Sequence, residues 1–463
     1  MSNSQAKTTR RRFLKNSTAS AAAVTLGLNA IGAPVARSAR GANERIRVGF
    51  IGVGNRGTQL LRGFLQQDDV EVAALCDVYE PYLARDYSRV DQKLKDALGG
   101  KVPKMTEEFS GSVARYKDFR RLLDSKDIDA VVIATPDHWH AIQAVTACEA
   151  GKDLYVEKPL SVTVVEGRKM VEAAKRYDRV IQVGLHRRSS KAYEQVVEDV
   201  GAGKIGKVTV GRAYRISNMH PNGIGRFPDA APPKDLDWDM WLGPRPKRPY
   251  KDNIVLYKFR WLQSYSSQMA NWGVHYCDAM RWALAEQAPV SISAHGGRFA
   301  VDDDRTIPDT MEVIFELASG ALLIFGQYEA SGGPALVEGE IELRGTLGNI
   351  YSGTSGAAYK IAPSRGGQFQ DSAPRIELAQ TERMDGDLTV QHIRNFLDCV
   401  KTRRRTHCDM ETGHRSTTFA LLANIALATK SRIEWDAKNE RIVNNKRANE
   451  LLHYKYRKPW KLT

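Results

Sequence analysis

From residue 46 onward the chain alternates between short apolar runs and longer stretches whose apolar residues recur every three or four positions. Ile46 to Ile51 is a compact, partly β-branched run, and "TQLLRGFLQQ" soon after it carries apolar residues at helical spacing. "VEVAALCD" is the next run and ends on Asp77. "DAVVIATP" (129–136), "DLYVEKP" (153–159) and "RVIQVGL" (179–185) read as buried strands. "HAIQAVTACEAG", closing on Gly151, and "VVEGRKMVEAAKRY" are the helices between them. Strands alternating with helices predict a doubly wound parallel sheet of the Rossmann kind, whose ligands gather at the carboxyl ends of the strands. From about Lys207 the texture changes: "KVTVGRAYRI", "TMEVIFEL", "ALLIFGQYEA" and "EGEIELRG" alternate or run apolar between Gly and Ser turns. This predicts a second, α+β domain built on a large, mostly antiparallel sheet. The expected division is 1–42 for a leader and linker, 43–205 for the nucleotide-binding domain and 206–463 for a substrate domain. Two Pro-rich loops, "DAAPPKD" and "LGPRPKRPY", are expected near the cleft.

Composition narrows the choices. With 463 residues, 42% apolar and 26% charged, the chain is long enough for two packed domains and reads as globular. The formal charge is +14, but seven of the positive residues lie in 1–42 with no acid among them, leaving +7 for the rest. The remaining Lys and Arg are scattered rather than striped with aromatics, which argues against a nucleic-acid partner. "KTRRRTH" from Lys401 reads as the solvated end of a helix. The five cysteines are odd in number and widely spread without a C-x-x-C pair, so they read as free thiols rather than a disulfide framework or a zinc site.

The candidate chemistry begins at Gly52-Val53-Gly54-Asn55-Arg56-Gly57, a G-x-G-x-x-G stretch between a predicted strand and a predicted helix. Gly52 suits the tight turn, Gly54 a close approach of the pyrophosphate, and Gly57 close packing of helix on strand. Amides at the helix start would bind the phosphates. Asp77, twenty residues after Gly57, stands where an acid accepts bonds from the ribose hydroxyls of NAD and repels the 2'-phosphate of NADP. NAD is therefore the expected cofactor, with NADP the lesser alternative. The strand-end rule brings Asp77, Thr135 and Pro136, Glu157, Lys158 and Pro159, and Gly184 to His186 around one crevice.

The glycine fingerprint, "ATPDHWHA" at 134–141, "EKP" at 157–159 and "NWGVHYCD" at 271–278 together resemble the glucose-fructose oxidoreductase and inositol dehydrogenase family, Gfo/Idh/MocA, from about residue 44 onward. The resemblance implies a carbohydrate substrate such as a sugar or polyol, a homo-oligomer formed through the antiparallel sheet, and Lys158 as catalytic acid/base. A cis bond between Lys158 and Pro159 is a common feature of that family. His275 matches its second acid/base residue, with Asp278 one helical turn on to orient the imidazole. His275 and Asp278 also read as an i, i+3 metal pair lacking a third ligand, or as core residues. His140 matches the stretch near the cofactor ribose, and His186 is a further cofactor-side candidate. Many relatives carry Asp where this chain has Asn271, four residues before His275. The loss of that charge is expected to leave an imidazolium at His275 less stabilised.

Ahead of all this stands Thr9-Arg10-Arg11-Arg12-Phe13-Leu14-Lys15, followed by a mildly apolar, Ala-rich stretch too short and polar for a membrane span. It resembles a twin-arginine signal peptide, and a basic tail is the bland alternative. The expectation is a folded export through the twin-arginine machinery to the periplasm. A cofactor loaded before export would travel inside and be re-oxidised in place. Two sugars exchanging a hydride, transient sugar oxidation that assists glycosidic cleavage, and a catalytically silent sugar-binding protein all fit such a location.

Overall fold

The computed structural model describes residues 45–353, 358–382 and 385–462. The arginine-led segment and the leader expected at 1–42 lie outside them. The first sheet is six-stranded and parallel: β1 (Ile46–Ile51), β2 (Val70–Cys76), β3 (Ala114–Tyr116), β4 (Ala130–Ile133), β5 (Asp153–Val156) and β6 (Ile181–Val183), in the order 3-2-1-4-5-6. Val48, Phe50, Val132 and Val156 are fully buried, as expected of strands covered on both faces. The order reverses between β1 and β4, and the crevice at their carboxyl ends is where such sheets take a nucleotide.

The second sheet holds ten strands. Its centre is β7 (Val208–Ile216), β8 (Pro289–Gly297), β9 (Thr310–Leu317), β10 (Leu322–Tyr328) and β11 (Ile341–Gly345). β7 and β10 pair in parallel, whereas β8, β9 and β11 join their neighbours antiparallel. In β9 the residues Met311, Val313, Phe315 and Leu317 are buried and their alternates are not, so one face carries the core. That face packs on the helices Val274–Ala283 and Met410–Thr429.

Chain order does not respect the boundary at 205. Helix Leu388–Thr402 returns to the parallel sheet, where Phe396 meets Phe64 at 6.3 Å and Tyr155 at 6.0 Å, ring edge to face. Helix Met410–Thr429 packs on helix Val164–Arg176, and the Cys408 carbonyl accepts from Val183 N at 2.8 Å. Part of the cover on the parallel sheet is thus supplied from more than 180 residues away in the chain, although the parallel strands themselves end before residue 205. All five cysteines are free and buried.

Candidate active site

A cavity of about 430 Å³ opens at the carboxyl ends of the parallel strands and is roofed by residues of the second domain. Its floor is the glycine turn. Gly52 has φ +87°, and a Cβ there would stand 2.8 Å from the Ala134 carbonyl carbon and Thr135 N. A Cβ on Gly57 would stand 2.1 Å from the Gly52 oxygen, so glycine is what lets helix Asn55–Leu65 close on β1. Gly54, Asn55 and Arg56 line the cavity. The amides of the first helical turn have no partner within the helix, and together with this bare backbone they fit the pyrophosphate of a dinucleotide. Asp77 also lines the cavity: Oδ2 accepts from Val53 N at 2.8 Å and Oδ1 from Tyr79 N at 3.0 Å. Burial pushes its carboxyl up, and these bonds with nearby Arg85 oppose the rise. Asp77 therefore ties β2 to the glycine turn while keeping lone pairs on the cavity side. Thr135 and Pro136 complete the wall after β4, with Thr135 Oγ1 donating to Gln143 Oε1 at 2.7 Å.

At the end of β5, Glu157 and Lys158 are adjacent and opposed in role. Glu157 Oε1 accepts from Arg56 Nε at 2.8 Å. Burial alone would raise its carboxyl, but Arg56 and Lys158 outweigh it and hold the group below the usual range. Gly184 leaves room for it, since a Cβ would meet Glu157 Oε1 at 2.8 Å. The Lys158–Pro159 bond is cis, as the resemblance implied. Lys158 Nζ donates to the Asn271 backbone oxygen at 2.8 Å and to Asn271 Oδ1 at 2.9 Å. Burial pushes the ammonium down to about 8; Glu157 opposes the fall and Arg260 adds to it.

Asn271 thus serves Lys158, which corrects the expectation that it acts on His275. Its orientation is set from behind. Asn271 Nδ2 donates to Gln268 Oε1 at 3.1 Å, and Gln268 Nε2 donates to Glu329 Oε1 at 2.5 Å. Glu329 Oε2 accepts from Arg305 Nη1 at 2.7 Å and from Trp261 Nε1 at 3.0 Å. A carboxylate at the far end takes only donors, so each amide in turn must present its oxygen toward Lys158. Asn271 lies on a π-helical turn, Met269–Gly273, that feeds helix Val274–Ala283. Such a turn changes the angular offset across it, and local widening of this kind recurs at functional sites.

His275 lines the cavity, 5% exposed, with Nδ1 buried and unpartnered. His186 faces it at 5.2 Å between ring centroids, and its own Nδ1 is also buried without a partner. Burial, reinforced by Lys158 and Arg187, holds His275 well below the usual histidine range, and burial with Arg187 does the same to His186. Two neutral imidazoles therefore flank Lys158. Asp278 does not orient His275. Its carboxylate takes Arg188 Nη2 at 2.8 Å and Ser416 Oγ at 2.5 Å, deep in the core, because the helix turns that position toward Arg188. The metal-pair alternative loses its second ligand for the same reason, and among the described residues no group of three His, Cys, Asp or Glu side chains could hold a metal. His140 is likewise corrected: it is 1% exposed and outside the cavity lining, with Nδ1 2.8 Å from the Pro159 oxygen and Nε2 3.0 Å from the Thr135 oxygen. It clamps the two strand-end loops together from beneath.

Trp272, within "NWGVHYCD", lines the cavity from the π-helical turn, whereas Tyr257 and Arg260 roof it from the stretch around the short turn Lys258–Trp261. Nothing periodic marks such a loop. Asp137, within "ATPDHWHA", also lines the cavity, with Oδ2 buried and unpartnered.

Residues 46–185 match the oxidoreductase family's NAD-binding Rossmann fold, and residues 194–462 match its C-terminal alpha/beta domain. The chain belongs to the Gfo/Idh/MocA oxidoreductase family. A Gfo/Idh/MocA protein of this kind binds a nicotinamide dinucleotide in the first domain, which agrees with the glycine cradle described above. Among solved structures, the chain is similar to levoglucosan dehydrogenase in complex with NADH, at TM-score 0.60 and 18% identity over 84% of this chain and 99% of that one. It is also similar to the aldose-aldose oxidoreductase of Caulobacter crescentus complexed with glycerol, at TM-score 0.55 and 18% identity over 84% and 100%. At these identities the likeness is one of fold. Among curated relatives, a glycosyl hydrolase family 109 protein of Shewanella pealeana is 32% identical over 225 residues, 46% of this chain and 47% of the relative. An alpha-N-acetylgalactosaminidase of Shewanella oneidensis is 32% identical over 176 residues, 38% and 36%. The match spans about half the length of these relatives or less.

Proposed function

We propose that this Gfo/Idh/MocA protein oxidises a carbinol carbon of a carbohydrate, using NAD in preference to NADP, and that the dinucleotide stays bound between turnovers in a protein exported by the twin-arginine route. The observation that carries the proposal is Lys158: an amine poised near neutrality, in the same cavity as the glycine cradle and flanked by a neutral His275. When bound, the dinucleotide supplies the hydride acceptor. Lys158 Nζ, in its free-base form, accepts the hydroxyl proton as the carbon is oxidised. Its hold by two oxygens of Asn271 aims the lone pair and stabilises the ammonium that results. Neutral His275 offers one N–H and one lone pair to a neighbouring oxygen of the substrate. Asp77 supports NAD, because a carboxylate at the end of β2 favours ribose hydroxyls over a 2'-phosphate.

A second reading shares this first step. The relatives named for glycosyl hydrolase activity favour transient oxidation that assists glycosidic cleavage, with the hydride returned afterwards. Lys158 then gives its proton back in the closing step, and no net redox change occurs. The deciding experiment uses purified mature protein. Denaturation releases its dinucleotide for quantification, and the loaded protein is mixed with a panel of sugars, polyols and nitrophenyl glycosides while nicotinamide absorbance and nitrophenol are followed. Net oxidation yields reduced nicotinamide, and the redox-neutral path yields nitrophenol alone. Lys158→Ala should lower either rate by roughly 100-fold to 10,000-fold with the dinucleotide retained. Neither signal from any sugar, with dinucleotide present, would sink the oxidation in favour of a silent binding protein.

A further inference from the structure

Arg260 is a charged cavity residue with no part in the chemistry proposed for Lys158 and His275. It stands on the roof, in the short helical turn Lys258–Trp261, close enough to Lys158 to oppose its protonation. Nη1 donates to the Tyr257 oxygen at 2.8 Å, and the guanidinium lies 4.3 Å from the Tyr257 ring centroid and 4.5 Å from that of Phe259. These contacts fix a planar fork in place on two aromatic faces. The residue just before Tyr257, Leu256, has φ +64° and also lines the cavity, so the loop holds an unfavourable backbone conformation there. Asp137 and Glu157 act on this guanidinium from a distance, but neither is paired with it. Arg260 makes no ion pair among the described residues, and four of its five N–H groups have no protein partner. Arg260 lines the cavity and is partly exposed there.

The acids around it are committed elsewhere. Glu157 is held by Arg56, and Asp77 by two backbone amides. Asp137 has one oxygen unpartnered; burial pushes its carboxyl up while His140 and Arg260 oppose the rise, and it forms no ion pair with Arg260. A dinucleotide's pyrophosphate is accounted for by the helix start at the opposite wall. A guanidinium removed from bulk water with most of its donors idle is unfavourable until an oxyanion arrives, and its fork matches a carboxylate or phosphate in two-point fashion.

We propose that Arg260 binds an anionic oxygen group of the substrate, so that the carbohydrate oxidised here is an acidic one, its carboxylate or phosphate seated on Arg260 with the reacting carbinol at Lys158. This rests on the dinucleotide and carbohydrate reading above. It is tested by calorimetric titration of the NAD-loaded full chain with matched series: glucose, glucuronate, gluconate and glucose 6-phosphate, and the galactose counterparts. At least one acid should bind 10-fold or more tightly than its neutral partner, and the carboxylate and phosphate arms tell which oxyanion is read. Arg260→Met should abolish that preference, Arg260→Lys should keep part of it as a point charge without a fork, and both should retain their NAD. The proposal falls if no acid outbinds its neutral partner in the unaltered protein, a comparison that needs no variant. It falls equally if Arg260→Met weakens acid and neutral sugar alike, or if it releases NAD with the preference intact, which would assign the fork to the pyrophosphate. An acid that binds through Arg260 but yields no reduced nicotinamide, and whose nitrophenyl glycoside yields no nitrophenol, upholds acid recognition and overturns the oxidation instead.

Discussion

Asn271→Asp is the most informative single change, because it converts a neutral oxygen at 2.9 Å from Lys158 Nζ into a carboxylate. An opposite charge within hydrogen-bond reach raises an amine's pKa by about 1–3 units. A Lys158 that now titrates at about 8 should then titrate at about 9 to 11, each unit being about 1.4 kcal/mol in favour of the ammonium. The sign follows from the role. The free base accepts the proton, so activity rises with pH through the Lys158 pKa, and raising that pKa moves the acid limb upward. At pH 7 the free-base fraction should fall roughly 10-fold for each unit, while at pH 10.5 much of the rate should return. The change also propagates backward, since Gln268 Oε1 now accepts from Asn271 Nδ2 and would face a second acceptor. Gln268 must turn, which sets its oxygen against Glu329, a carboxyl that burial already pushes up and that would take a proton to donate in return. The assay is the pH profile of kcat/KM from about 6 to 10.5 on the best substrate, in the native and in the His275→Gln background. The acid limb should shift upward in both, because the charge is added beside Lys158. An unmoved profile refutes the argument that Asn271 governs Lys158. A shift that vanishes without His275 would return the effect to the imidazole.

Gly57→Ala forces a methyl to 2.1 Å from the Gly52 oxygen and should destabilise the protein by about 3 kcal/mol or more; denaturant unfolding and dinucleotide content should both fall, and normal values of both would remove the packing role. Asp278→Ala strands the buried Arg188 and should cost about 3–5 kcal/mol while leaving the pH profile of the surviving activity in place; a shifted profile would restore Asp278 as an orienter of His275. Changing Arg10 and Arg11 together to Lys should trap the precursor in the cytoplasm, and normal periplasmic recovery of that double variant would overturn the export proposal.

The residues that could be read along the chain are those whose role is local. Gly52 announces a left-handed turn and Gly57 a close helix contact, because only glycine tolerates φ +87° or a Cβ site 2.1 Å from an oxygen. The parallel strands show as apolar runs because both of their faces are covered, and the alternating pattern of β9 shows because one of its faces carries the core. Lys158, His186, Asp77 and Glu157 could be placed in one crevice by the rule that ligands gather at strand carboxyl ends, and His275 only through the family resemblance. Partner choice was out of reach. Spacing along a helix suggested that Asp278 serves His275, but the tertiary fold carries Arg188, ninety residues away in sequence, to that carboxylate. Asn271 reads as a neighbour of His275, yet its oxygen meets a lysine 113 residues earlier, and a relay ending at Glu329 decides which end of the amide faces it. His140 shares its motif with cavity residues and still points into the core, and Arg260 comes from a loop with no period at all. Which side chains meet across such separations depends on how two sheets and their returning helices pack, and no local pattern of residues encodes that geometry.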